Sequence, residues 1–203
     1  GYVVSNTAGV AVMPGSVGVV TIDGVIPGGE EEDDTPSTWQ NYGSMFVGGY
    51  GSGEMTISDG GLMDIHGNLY IGGFDPDLFD VVLEDYDPNG TGTVTVTGGG
   101  STLYGTGLDE LHVGYSGDGT LHIEEGGYVE SGVAAIGLLP GSTGEVLVDG
   151  FAAAEQEVQL FLVGPGGTPS VWENLGSIVV GGYGDGTLTV SNGGEVYSSE
   201  LFN

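Results

Sequence analysis

The sequence predicts an all-β fold, a single-stranded β-helix (β-solenoid) of about seven to ten coils with three loop insertions. Three observations predict it: a long internal repeat, period-two alternation between Gly-rich turns, and a recurring hydrophobic-Gly mark. Thr35 to Gly61 aligns without gaps on Thr168 to Gly194 with 17 identities in 27. Gly1 to Gly24 aligns without gaps on Gly127 to Gly150 with 12 identities in 24. The chain therefore reads as one domain, residues 1–203, built from repeats of about 67 residues: 35–100, 101–167, and 168–203 completed by 1–34. In this reading the missing tail of the last repeat stands at the front of the chain. If one copy's end met another's beginning, the pattern would run on.

The strand signal is alternation. Thr93-Val94-Thr95-Val96, Leu111-His112-Val113, Thr120-Leu121-His122-Ile123, Glu145-Val146-Leu147-Val148 and Thr187-Leu188-Thr189-Val190 each read as half-buried strands. Between them lie turns such as GGYGSG, GYSGDG, PNGTG and PGSTG. The mark recurs at Val47-Gly48, Ile71-Gly72, Val113-Gly114, Ile136-Gly137 and Val180-Gly181, a spacing that suits one coil. Each large repeat reads as about three strand-turn units, with tight turns aligned at Gly53, Gly119 and Gly186. A coil cannot bury its apolar face alone, so stacked neighbours share a core. Gly at fixed corners supplies positive φ. Insertions are read at Ile26 to Asp34, Phe74 to Asp87 and Phe151 to Gly167; Ala152 to Gln159 is the one short helical candidate. A three-bladed propeller is the rival, disfavoured because propellers use four to eight blades of four strands.

Composition excludes several function classes. There is no Lys or Arg against 29 Asp plus Glu, a formal charge of −29. Nucleic acid and anionic membrane surfaces are poor partners, because no cation can neutralise phosphate. Trypsin-like proteases have no site to cut. Self-repulsion opposes association unless divalent cations, salt or low pH relieve it. With no Cys, disulfides and thiolate chemistry are absent. The 38% hydrophobic content, alternating in short strands, argues against disorder. No apolar run is long enough to span a membrane as a helix. A start at Gly1 reads as a processed or truncated chain.

The units LHVGYSGDGTLHIEEGGYV (Leu111 to Val129) and AAIGLLPGSTGEVLVDG (Ala134 to Gly150) resemble the bacterial β-solenoid repeat of PEP-CTERM-sorted exoproteins and autotransporter passenger domains. Trp39 and Trp172 stand where that family carries a tryptophan, and Leu103 replaces it in the second repeat. The resemblance implies a solenoid at the cell surface or outside the cell, and no catalytic site.

The sharpest local motif is Asp85-Tyr86-Asp87-Pro88-Asn89-Gly90-Thr91. Oxygens of Asp85, Asp87, Asn89 and Thr91 at alternate positions suit calcium. Position twelve of such a loop is Val96 and not Glu, and PNGTG is also this repeat's own corner turn. Asp75, Asp77, Asp80 and Glu84 add negative charge nearby. The second cluster, Glu30, Glu31, Glu32, Asp33 and Asp34, reads as a solvated acidic loop or a weak cation site between subunits. His112 and His122 fall on outward strand positions, read as exposed strand residues or else as a metal pair between adjacent strands, and His66 is the third imidazole. Tyr2, Tyr50, Tyr115, Tyr128 and Tyr183 recur at turns, as corner covers or sugar platforms. No nucleophile–base–acid set stands out, so an enzyme is not expected.

These readings point to a secreted bacterial structural subunit that polymerises head to tail, its partners being itself and divalent cations. The residues expected at the polymer interface are Gly1, Tyr2, Val3, Val4, Ser5, Val196, Tyr197, Leu201, Phe202 and Asn203. Strand addition at open edges would supply the contacts. The alternative is an adhesin or glycan-binding stalk segment of a longer surface protein.

Overall fold

The computed structural model describes residues 1–28, 35–73, 90–104, 110–152 and 167–202. Among these residues the protein is all-β, with no helix. The chain winds in repeated passes, each made of three strand segments. The first pass is β1 (Tyr2–Ser5), β2 (Ala8–Val10) and β3 (Val17–Asp23). A small antiparallel pair, β4 (Val25–Ile26) and β5 (Thr35–Pro36), leads to the second, β6 (Thr38–Asn41), β7 (Met45–Val47) and β8 (Ser52–Ser58). Next come β9 (Leu62–Ile65), β10 (Leu69–Ile71) and β11 (Thr91–Thr97), then β12 (Thr102–Tyr104), β13 (Glu110–Val113) and β14 (Asp118–Glu124). The fifth is β15 (Tyr128–Ser131), β16 (Val133–Ile136) and β17 (Thr143–Asp149). In the sixth, β18 (Val171–Val180) runs through two segments before β19 (Asp185–Ser191). Finally β20 (Glu195–Phe202) covers two segments of a seventh pass.

Every segment of an interior pass pairs in parallel with its equivalents in the passes on either side. The third segments form one six-stranded sheet, β19-β17-β14-β11-β8-β3. The first and second segments form two ladders that β18 joins into a single sheet. Among the described residues six passes are complete and a seventh begins, just under the seven to ten expected. Among the described residues four passes start between Thr35 and Thr168, two in each long repeat where three units were expected.

The alternation in the sequence becomes the in/out pattern of the third sheet. Val94, Val96, Leu121, Ile123, Val146 and Val148 are buried, with exposed or half-buried residues between them. Met55 and Ile57 precede them in the same ladders. Opposite, Trp39, Met63, Leu103, Val129, Trp172 and Val196 stack on consecutive rungs. Trp39 and Leu103 thus hold equivalent interior positions two passes apart.

The hydrophobic-Gly mark is one stacked corner. Val10, Val47, Ile71, Val113, Ile136 and Val180 align rung on rung. The residue after each turns the chain with φ between 55° and 74°. Gly supplies this at positions 48, 72, 114, 137 and 181, while the first pass uses Ala11. Each corner N–H donates to the preceding rung's carbonyl, as Gly114 N does to Ile71 O at 2.7 Å. The aligned Gly53, Gly119 and Gly186 serve a different need. They do not have positive φ; a Cβ at Gly119 would overlap the backbone of Gly114 and Ile71.

Candidate assembly interface at the two open ends

The first-segment ladder carries a repeated polar joint inside the apolar stack. Trp172, fully buried, donates from Nε1 to Ser131 Oγ at 3.0 Å, and Ser131 Oγ donates to Asn174 Oδ1 at 2.8 Å. Near the other end, Trp39 Nε1 donates to Ser5 Oγ at 2.8 Å, and Ser5 Oγ donates to Asn41 Oδ1 at 2.7 Å. Asn41 Nδ2 in turn reaches Gly43 O at 2.6 Å and Ser44 O at 3.2 Å, closing the corner after β6. The indole–serine–asparagine bonds explain the Trp-x-Asn spacing at Trp39-x-Asn41 and Trp172-x-Asn174, and the bonds from Asn41 Nδ2 add Gly43 at the first of them. A Ser pass must lie beneath a Trp–Asn pass for the indole and the amide to be satisfied.

Both ends of the stack are open among the described residues. β1, β2 and β3 each pair on one side only, with β6, β7 and β8. At the far end, β20 pairs with β18 and β19 with β17. Apolar side chains are exposed at both ends: Val3 and Val4 at 52%, Val17 at 80%, Leu201 at 60% and Phe202 at 53%. A cleft of about 430 Å³ opens into the core at the N-terminal end, lined by Tyr2, Val3, Val20, Ile22 and Trp39. Edges of this kind are templates for further strand pairing.

The structure places most of the expected interface residues on these edges. Tyr2, Val3, Val4 and Ser5 form β1, and Val196, Tyr197, Leu201 and Phe202 lie in β20. Gly1 precedes β1, and Asn203 lies outside the described residues. Ser198, within the terminal stretch Val196 to Asn203 that the sequence singles out, stands on the rung of Ser5, Asn41, Ser131 and Asn174. Residues 2–5 and 195–198 share the pattern x-Val-x-Ser. Sequence reasoning missed the third-sheet edges, where Val20 and Ile22 at one end match Leu188 and Val190 at the other.

Of the expected calcium ligands, Asp85, Asp87 and Asn89 lie outside the described residues, as do Asp75, Asp77, Asp80 and Glu84. Thr91 begins β11, between Ser52 and Asp118. The acidic cluster Glu30 to Asp34 also lies outside them. Among the described residues no group of three or more His, Asp or Glu side chains is placed to hold a metal.

The histidines differ from one another. His122 is half-buried on the outer face of the third sheet, but His112, expected to be exposed, is buried at 6% exposure. It points outward, yet an aromatic stack covers it. Tyr70 lies parallel at 4.9 Å and Tyr115 edge-on at 5.0 Å, while Glu110 Oε2 is 2.9 Å from Nε2. His66 Nε2 lies 3.1 Å from Asp64 Oδ2, which also accepts from Gln40 at 3.0 Å. Tyr50 and Tyr115 pack on the Phe46–Tyr70 pair, whereas Tyr183 is 81% exposed. Tyr128 donates to Glu173 at 2.8 Å and to Glu130 at 3.2 Å. Burial raises its pKa well above the usual phenol value, and the two carboxylates raise it further.

No family model matches the chain, and no solved structure gives a significant match. The chain is similar to a curated protein of Escherichia coli (strain K12), the uncharacterized lipoprotein YdeK. The two are 32% identical over 111 residues, which is 54% of this chain and 8% of that relative. The relative is therefore more than ten times longer than the matched stretch.

Proposed function

We propose that this protein is a structural, non-enzymatic element of a bacterial surface, a single-stranded β-solenoid related to the repeats of exported passenger and exoprotein domains. Its passes stack into a stiff rod, and its ends are extended by other copies into an extracellular fibre. The observation that carries this reading is the regular parallel stacking of its passes on one shared apolar core, a geometry that further passes can extend. The similarity to a protein named as a lipoprotein supports a surface location. The charge of −29 makes growth depend on cations, with calcium the natural screening ion.

A second reading, a stalk segment of a longer surface protein, is favoured by the length of that relative. There the ends would be extended by further passes of one chain. Sedimentation of the purified full chain with calcium or with a chelator tests between them. Reversible, calcium-dependent growth supports self-assembly. A monomer under both conditions overturns it and leaves the stalk.

A further inference from the structure

Gln40, Asp64 and His66 converge on the outer face of the first ladder. Gln40 in β6 and Asp64 in β9 are partners on one rung. Asn41 and Ile65, next along each strand, are fully buried, so alternation turns Gln40, Asp64 and His66 outward together. His66 lies just past β9, and its backbone N–H donates to Asn41 O at 2.9 Å. That bond ties it to the pass before.

Three side-chain atoms then form a closed triangle. Asp64 Oδ2 is 3.0 Å from Gln40 Nε2 and 3.1 Å from His66 Nε2, and the two nitrogens are 3.4 Å apart. Around a carboxylate, hydrogen bonds cannot satisfy all three edges. If His66 Nε2 carries a proton for Asp64, that proton faces the Gln40 amide donor; if it does not, its lone pair faces the Asp64 oxygen. Turning the amide round sets Gln40 Oε1 against the same carboxylate. The other Asp64 oxygen, Oδ1, is buried with no partner, in a residue only 9% exposed. A buried carboxylate with so few donors is costly.

A cation removes these conflicts together. Ligand atoms around a zinc-sized ion, with bonds of about 2.0–2.2 Å, lie roughly 3.0–3.4 Å apart, from octahedral to tetrahedral. The edges of the triangle fall in that range. With the amide turned, a carboxylate oxygen, an imidazole nitrogen and an amide oxygen all present lone pairs to one point. The turn keeps both contacts behind Gln40. Its Oε1 accepts from Tyr2 Oη at 2.7 Å and from Tyr42 Oη at 3.1 Å. Reversed, the NH2 group donates one hydrogen to each phenol oxygen. Tyr42 also lies against the imidazole, with ring centroids 5.1 Å apart, and limits its rotation.

We propose that Asp64, His66 and Gln40 form a mononuclear site for a divalent transition-metal ion of the zinc class. Water completes the coordination, because the side chains of His66 and Asp64 are 28% and 13% exposed and solvent reaches one side. The imidazole disfavours calcium and magnesium, which take oxygen ligands. The third donor is an amide, so no trio of His, Asp and Glu marks the site. The formal charge of −29 draws cations toward it. A bound ion ties the second pass to the third across the Gln40–Asp64 rung. All three ligands belong to those two passes, so the site is independent of what extends the stack.

Calorimetric titration of the full chain with zinc chloride, in about 1 mM calcium to occupy sites built from carboxylates alone, tests this. One zinc per chain is expected. Affinity should fall at least about tenfold in His66→Ala, since losing a ligand's supporting partner alone costs that much. His122→Ala, on the third sheet, should bind as the parent does. Zinc should raise the melting temperature of the parent and leave that of His66→Ala unchanged. Asp64→Asn should lose the site as well; where circular dichroism shows that this buried variant is unfolded, the half-buried His66 decides the matter. No stoichiometric zinc in the parent, or equal zinc binding by the parent and His66→Ala, overturns the proposal.

Discussion

Trp172 lies directly above Ser131, its Nε1 donating to the serine hydroxyl at 3.0 Å inside the stack. Trp39 and Ser5 repeat the relationship at 2.8 Å near the N-terminal end. A Ser pass and a Trp–Asn pass are thus complementary surfaces, and the joint sets which pass follows which.

Ser131 both accepts from Trp172 and donates to Asn174, so Ser131→Ala leaves a buried indole N–H and a buried amide oxygen unpaired. The expected loss is roughly 2–5 kcal/mol. Ser5→Ala costs less because Ser5 and the indole of Trp39 are only partly buried, although Asn41 is fully buried. Denaturant titration of the two variants checks the order.

Gly119 and Gly141 separate two reasons for glycine. Gly119→Ala drives a methyl into the Gly114 and Ile71 backbone and should abolish the native stack. Gly141 has φ 84° with open space around it, so Gly141→Ala meets only conformational strain, about 1–2 kcal/mol. Thermal melts should show a soluble, modestly weakened Gly141→Ala and a grossly destabilised Gly119→Ala.

The alkaline limb of stability belongs to tyrosine, since the chain has no Lys, Arg or Cys. Tyr128 holds its proton more tightly folded than unfolded. Its contribution is complete below the unfolded value, about 10. It is lost as pH rises above that toward the higher folded value. Tyr128→Phe should flatten the fall in melting temperature between pH 9 and pH 11, measured by circular dichroism (about one unit either side of the unfolded phenol).

Without a single Lys or Arg, side-chain repulsion at neutral pH is one-sided. Raising salt from about 10 mM to about 500 mM shortens the screening length severalfold and should raise the melting temperature. A melting temperature that falls with salt would contradict this.

Much of the fold was legible. Val47, Ile71, Val113, Ile136 and Val180, each followed by Gly, proved to be one stacked corner because that corner demands the same backbone turn in each pass. Alternation in β11, β14 and β17 was readable because one face of each strand is buried. The number of passes per repeat among the described residues was not, because the corner marks recur at unequal spacing, 24 residues from Val47 to Ile71 and 42 from Ile71 to Val113. His112 looked exposed because its direction is outward; Tyr70 and Tyr115 cover it through contacts that alternation does not encode. The phase of the ends was hidden because residues 194–203 share little with 1–10 beyond Gly194, Val196 and Ser198. Pairing on the ladders revealed it.

Electron microscopy of the full chain in calcium buffer tests the central claim most directly. The account predicts unbranched fibres with a strand spacing near 4.8 Å along the fibre axis. Dispersed single particles, with no axial growth at any calcium concentration, would contradict it.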